Sequence, residues 1–213
     1  MRAPISTKLL GFDFEVTWSA CLILAIIVIQ SAGDGSDVGR LLEGVVWCGV
    51  IFGSILVHEL GHAVVGRFLG LKPVRIVLHG LGGLTQYQIS PTPRQGIVAA
   101  VSGPLAGISL GVAAGILTLI VPDSMAETRQ VLVLLFALNI FWSLFNLLPM
   151  LPLDGGFVVL HGIALARGPA PAVQWTRRIS IATGVLVGLL GLLVQMPFVF
   201  ILAAFVVVQN FRR

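Results

Sequence analysis

Toward the end of one long apolar run stands His58-Glu59-Leu60-Gly61-His62. On a helix, residues four apart share a face and lie about 6 Å apart along the axis. Two imidazoles so placed can grip one zinc ion. The carboxylate between them can reach a metal-bound water as a general base. An ionisable residue in an apolar helix costs at least about 2.5 kcal/mol at bilayer depth. Three of them within five positions mark a site rather than an accident of composition.

The surroundings of that motif set its solvent. Of 213 residues, 57% are hydrophobic and only 10% charged. A soluble domain carries about 25% charge. The same numbers exclude a disordered chain, a coiled coil and a nucleic-acid-binding domain. The balance of 13 Lys+Arg against 9 Asp+Glu is what basic residues flanking membrane spans produce, without nucleic acid. Cys21 and Cys48 sit inside apolar runs, with no spacing for a disulfide framework or a Cys-rich metal site.

A bilayer core needs about 20 apolar residues as a helix. The apolar runs predict spans near 16–30, 45–66, 97–121 and 131–148. A last stretch of apolar residues, 179–208, contains Pro197 and reads as two short helices, 179–195 and 197–209, joined near Gln195-Met196-Pro197. Asp13 and Glu15 before the first run argue against a cleaved signal peptide. Basic residues alternate along the connecting segments as two, one, four, one, three and two. By the positive-inside rule both termini face the cytoplasm, which needs an even number of spans. The expected fold is an all-α polytopic membrane protein of about six transmembrane helices, forming a single domain over 1–213. Residues 72–90 interrupt it. There Val74-Arg75-Ile76-Val77-Leu78 and Leu84-Thr85-Gln86-Tyr87-Gln88 flank Gly80, Gly82 and Gly83, predicting a small membrane-associated β-hairpin with a glycine-rich turn. Gly103, Gly107, Gly111 and Gly115 recur every four residues and predict close helix packing.

Sidedness limits the third metal ligand. His58 lies nine positions before Arg67, which puts it about 13 Å below the cytoplasmic charged rim. Asp13 and Glu15 precede the first span. Asp34, Asp37, Glu43, Asp123 and Glu127 fall on the outer side. Asp154 is the acid left on the cytoplasmic side, with His79 and His161 as rivals. It follows Pro149 and Pro152 and precedes Gly155 and Gly156, residues that break a helix and bend the backbone. Asn146, just before them, offers either a packing amide or a hydrogen bond to a substrate.

His58-Glu59-Leu60-Gly61-His62 together with Asn146-x-x-Pro149-x-x-Pro152-Leu153-Asp154-Gly155-Gly156 resembles the paired motif of the site-2 protease family of intramembrane zinc metalloproteases. Ser102-Gly103-Pro104 and Gly80-Leu81-Gly82-Gly83-Leu84 follow in the family's order. The resemblance implies one Zn2+ per chain bound by His58, His62 and Asp154, water activation by Glu59, and a hold on the scissile segment by Asn146. It also implies that the hairpin, at Gly82, Gly83, Leu84 and Thr85, meets the substrate as a strand. Its implied partners are the lipid bilayer and a single-span membrane protein such as an anti-sigma or pro-sigma factor. The implied location is a prokaryotic cell membrane. No stretch here accommodates an inserted PDZ domain or a CBS domain, so a minimal form of the family is expected.

Two other classes compete. A metal-ion transporter needs polar residues across the bilayer depth, yet the first, third, fifth and sixth expected spans contain no ionisable residue. A catalytically inactive scaffold has no need of Glu59.

Overall fold

A computed structural model describes residues 5–32, 38–80 and 82–212. Arg2, Asp34, Asp37, Leu81 and Arg213, used above, lie outside the described residues. In chain order the elements are β1 (Ile5–Leu9), β2 (Phe12–Val16), α1 (Trp18–Ala32), α2 (Val38–Phe68), β3 (Pro73–His79), β4 (Gly82–Tyr87), α3 (Pro93–Thr118), a 3-10 turn (Asp123–Met125), α4 (Ala126–Asn146), α5 (Asp154–Arg167), α6 (Pro169–Leu193) and α7 (Pro197–Arg212). The chain divides into two compact units. One comprises the residues up to Ser90 with Leu105–Ser143, the other Pro91–Pro104 with the residues from Leu144 onward.

The first unit carries a four-stranded sheet of order β1-β2-β3-β4. The expected hairpin is therefore half of a larger sheet, because the N-terminal residues form a second hairpin. Leu10 and Gly11, at φ 51 and 79, make its two-residue turn, a conformation that suits glycine. β2 then runs parallel to β3, with Phe14 opposite Ile76 and Val16 opposite Leu78. Alternation along each strand places Phe12, Phe14, Val16, Ile76 and Leu78 on one buried face, packed with Ala20 and Ala63. The other face is polar, and Glu15 pairs there with Arg75 at 3.3 Å. Because β2 takes Val16, the first helix begins only at Trp18 and runs 15 residues.

Helix contacts in this unit use small residues. An added Cβ on Gly44 of α2 meets the α1 backbone at Val28, 3.1 Å away. One on Gly111 of α3 lies 3.2 Å from Asn139 and Ile140 of α4, and one on Gly115 lies 2.9 Å from the Phe136 ring. The expected glycine row therefore does what its spacing implied: it lets two helices approach.

In the second unit α6 and α7 form an antiparallel pair around Val194–Met196, which bears out the division expected at Pro197. Gly184 faces Val207, Gly188 faces Ala203 and Gly191 faces Phe200. Two expectations are corrected here. Residues 149–178 are not simply a connecting segment, since Asp154–Arg167 forms α5. The helix expected at 179 starts instead at Pro169, where Gly168 (φ 84) ends α5 and proline takes the first turn of α6.

Among the described residues, four helical segments are long and apolar enough to cross a membrane: Val38–Phe68, Pro93–Thr118, Asp123–Asn146 and Pro169–Leu193. The chain is an integral membrane protein. Trp18–Ser31 and Val199–Phe211 are apolar but shorter.

Gly111→Leu inserts a side chain where 3.2 Å of clearance exists. It should cost about 1–3 kcal/mol, the usual range for overpacking, read as a lower thermal midpoint in detergent. An unchanged midpoint would show that the α3–α4 contact does not depend on that glycine.

Candidate metal centre

One face of α2 is buried along Ser54, His58, His62 and Gly66, residues four apart. The two imidazole Nε2 atoms are 3.2 Å apart, with the rings nearly perpendicular at 81°. Ligands at about 2.0–2.1 Å from a tetrahedral zinc stand about 3.3 Å from each other. The pair thus fits a shared ion without rearrangement. His58, Glu59 and His62 are all at least nine-tenths buried.

Glu59 is held by β4. Thr85 Oγ1 stands 2.7 Å from Glu59 Oε2 and 3.0 Å from the Glu59 carbonyl. Gly83, two residues earlier on the same face, lies directly over the carboxyl group. A Cβ there would fall 2.6 Å from Glu59 Cδ and Oε1, and closer still to Cγ. Gly83 is therefore a strand residue whose missing side chain is the space Glu59 occupies. One turn further along α2, Tyr87 donates to the His62 carbonyl at 3.0 Å and its ring covers Gly66. The strand is thus fastened to α2 at both ends of the motif.

The remaining expected residues are placed as follows. Gly82 begins β4, and Leu84 points to the opposite face and is exposed. His79 ends β3 opposite Gly82. In the second unit, Asn146 is the last residue of α4 and Asp154 the first of α5. His161 is half-buried against Gly96, where desolvation lowers its pKa. The geometry brings Glu59, His58, His62, Gly83 and Thr85 together within the first unit.

Sequence reasoning missed three contributors. Tyr87 is the chain's single tyrosine. Asn139 stands alone in an apolar stretch of α4. It is 2% exposed and donates to Ser54 Oγ at 2.9 Å and to the Leu135 carbonyl at 2.8 Å. Ser54 is one turn before His58, so this bond sets the rotation of α2 at the site. A lone amide in a membrane helix was the available signal.

No family profile matches the chain. It is 31% identical over 221 residues to a candidate zinc metalloprotease of Synechocystis, covering 95% of this chain and 57% of that protein. It is 33% identical over 162 residues to Rip3 of Mycobacterium tuberculosis, also named as a candidate zinc metalloprotease, covering 71% of this chain and 41% of that one. A zinc metalloprotease of Methanocaldococcus jannaschii is 26% identical over 87% of this chain and 53% of its own length. The chain spans about half the length of the curated relatives it matches. Among solved structures, a site-2 protease from Methanocaldococcus jannaschii has the same fold, with a TM-score of 0.69 at 22% identity over 98% of this chain and 94% of that one. The chain is therefore similar in sequence to zinc metalloproteases and has the fold of a site-2 protease over nearly its whole length.

Proposed function

We propose that the chain is an intramembrane zinc endopeptidase that cuts within or beside transmembrane segments of membrane-bound regulatory proteins, and that residues 1–213 act as one protease domain. The observation that carries this reading is the buried His58–His62 pair, 3.2 Å between Nε2 atoms, with Glu59 fixed beside it by Thr85. Asp154 would supply the third ligand of a His-His-Asp donor set, the kind a catalytic zinc takes. It is the last acid of the chain, and the zinc metalloproteases named above support the choice of metal.

When bound, zinc supplies Lewis acidity, polarising a carbonyl and bringing the pKa of water toward about 7. Glu59 takes a proton from the attacking water. It returns that proton to the amine nitrogen as the peptide C–N bond breaks. Thr85 keeps the carboxylate aimed, with its single hydroxyl proton shared between Oε2 and the helix carbonyl. The Asn146 amide donates to a carbonyl of the scissile segment. A transmembrane helix hides its peptide bonds in its own hydrogen-bond ladder and must unwind first. β4 is an edge of the sheet, so unwound substrate can add to it as a further strand through main-chain bonds. The Thr85 side chain is engaged with Glu59, which leaves its substrate contact to the backbone. The substrate is a single-span protein of the anti-sigma or pro-sigma class in a prokaryotic membrane.

Counting α1 and α7 as short spans makes six, with both ends of this sequence and the metal centre toward the cytoplasm. The basic-residue alternation supports that orientation.

Purified protein in vesicles with single-span substrates tests the reaction. Glu59→Gln should keep zinc and lose about 10²–10⁴-fold in rate, the usual worth of a positioned base. Asp154→Ala should lose zinc, whereas His79→Ala and His161→Ala should retain it. Near-parental turnover by Glu59→Gln, or retention of zinc by Asp154→Ala, contradicts these assignments.

Gly83→Ala and Thr85→Val should both slow cleavage, by on the order of 10²-fold for a carboxylate displaced by about an ångström. Bound zinc should be unchanged and Thr85→Ser close to parental. Loss of zinc in either variant would move these residues from orienting Glu59 to maintaining the metal centre.

For orientation, cysteines placed near 125 should react with an impermeant thiol reagent from outside, while those near 92 and 170 should not. Outside labelling at 170 would reverse the assignment.

A further inference from the structure

The segment between α4 and α5, Leu147 to Leu153, is irregular backbone in an apolar protein. Such backbone is stable at membrane depth only where its peptide groups find partners. Pro149 and Pro152 have no N–H to satisfy. Met150 donates to the Leu148 carbonyl at 2.7 Å and Leu153 to the Met150 carbonyl at 2.9 Å. Leu151 is served differently, since side chains from two other helices take both of its peptide groups. Its N–H donates to Ser180 Oγ of α6 at 2.9 Å, and its carbonyl accepts from Asn210 Nδ2 of α7 at 2.7 Å. Asn210 sends a second bond from the same nitrogen to the Val206 carbonyl at 2.9 Å. Both partners are acceptors, so the amide can present only its NH2 group and its orientation is fixed. Ser180 is 0% and Asn210 2% exposed.

This grip passes directly to Asp154. A Cβ on Gly155 would overlap the Leu147 and Leu148 backbone, and one on Gly156 would overlap Met150 and Leu151, 2.8 Å from Leu151 Cα. The first turn of α5 therefore rests against the peptide that Ser180 and Asn210 hold. The α6–α7 pair keeps the two side chains in register through its glycine contacts, Gly184 on Val207 and Gly188 on Ala203.

We propose that Ser180 and Asn210 are positioning residues for the metal ligand Asp154. They aim its carboxylate through the Leu151 peptide and touch neither metal nor substrate. This rests on Asp154 being a zinc ligand, as proposed above. Losing a hydrogen bond that orients a ligand typically weakens metal affinity about 10–100-fold.

The test uses full-length protein in detergent, stripped of metal and titrated with Zn2+ against a competing chelator. The metal-free thermal midpoint and the visible spectrum of the Co2+-loaded protein are measured in parallel. Ser180→Ala and Asn210→Ala should bind zinc about 10–100-fold more weakly and shift the Co2+ bands. Their metal-free midpoints should fall by only a few degrees, the worth of one buried hydrogen bond, and Ser180→Thr should restore affinity. If Asp154→Ala weakens zinc binding while Ser180→Ala and Asn210→Ala bind as the parent does, the positioning role is wrong and the ligand assignment stands. If Asp154→Ala itself binds zinc as the parent does, the ligand assignment fails. A fall in metal-free midpoint with unchanged affinity would reduce the two residues to fold support. Should Asn210→Ala be recovered unfolded, Ser180→Ala, which removes one oxygen and no carbon, decides.

Discussion

A carboxylate buried in an apolar helix needs a donor within the protein, because burial strips it of most of its hydration. Glu59 has the Thr85 hydroxyl at 2.7 Å, and much of the first unit can be understood as what brings that hydroxyl there. Thr85 lies on β4, an edge strand that pairs only with β3, and β3 in turn lies beside β2. Three hydrophobic residues of β2 and two of β3 bury the sheet against Ala20 of α1 and Ala63 of α2, which stands next to His62. The sheet is thus a mount for one strand, and the strand a mount for one carboxylate.

The absence of side chains matters as much as their presence. Gly83 leaves room for the Glu59 carboxyl group, and Gly66 leaves room for the Tyr87 ring that caps the same helix face. In water such glycines weaken an element through lost entropy. In this apolar chain they let polar groups on one element come within bonding distance of another, and that closeness compensates for their burial. Asn139 and Ser54 use the same device between α4 and α2, beneath a row of glycines on α3.

Where helices stop, the fold meets a different difficulty. The stretch after α4 carries two prolines and cannot satisfy its own backbone. The partners come from otherwise apolar helices: Ser180 accepts from the Leu151 N–H, Asn210 donates to its carbonyl, and both are almost wholly buried. Polar residues are scarce in these spans, and these two serve backbone that would otherwise stand unbonded.

Much of this was legible in the residues themselves. The spacing of His58, Glu59 and His62 carries its chemistry because a helix period of 3.6 residues is local and needs no partner. The apolar runs located the long helices for the same reason, and Pro197 divided the last of them. The glycine row on α3 could be recognised as a packing surface because its four-residue spacing is a property of one helix. Other features were decided only by tertiary structure. The pairing of β2 with β3 joins residues some sixty positions apart, and parallel pairing leaves no turn signal between them. So a four-stranded sheet read as one hairpin. Thr85 looked like an exposed strand residue, since nothing in its neighbourhood of sequence announces a partner 26 residues away. Ser180 and Asn210 were unremarkable polar residues in apolar runs. Their work depends on Leu151, 29 and 59 residues distant, and a hydrogen bond across such separations is set by how helices pack rather than by any local pattern.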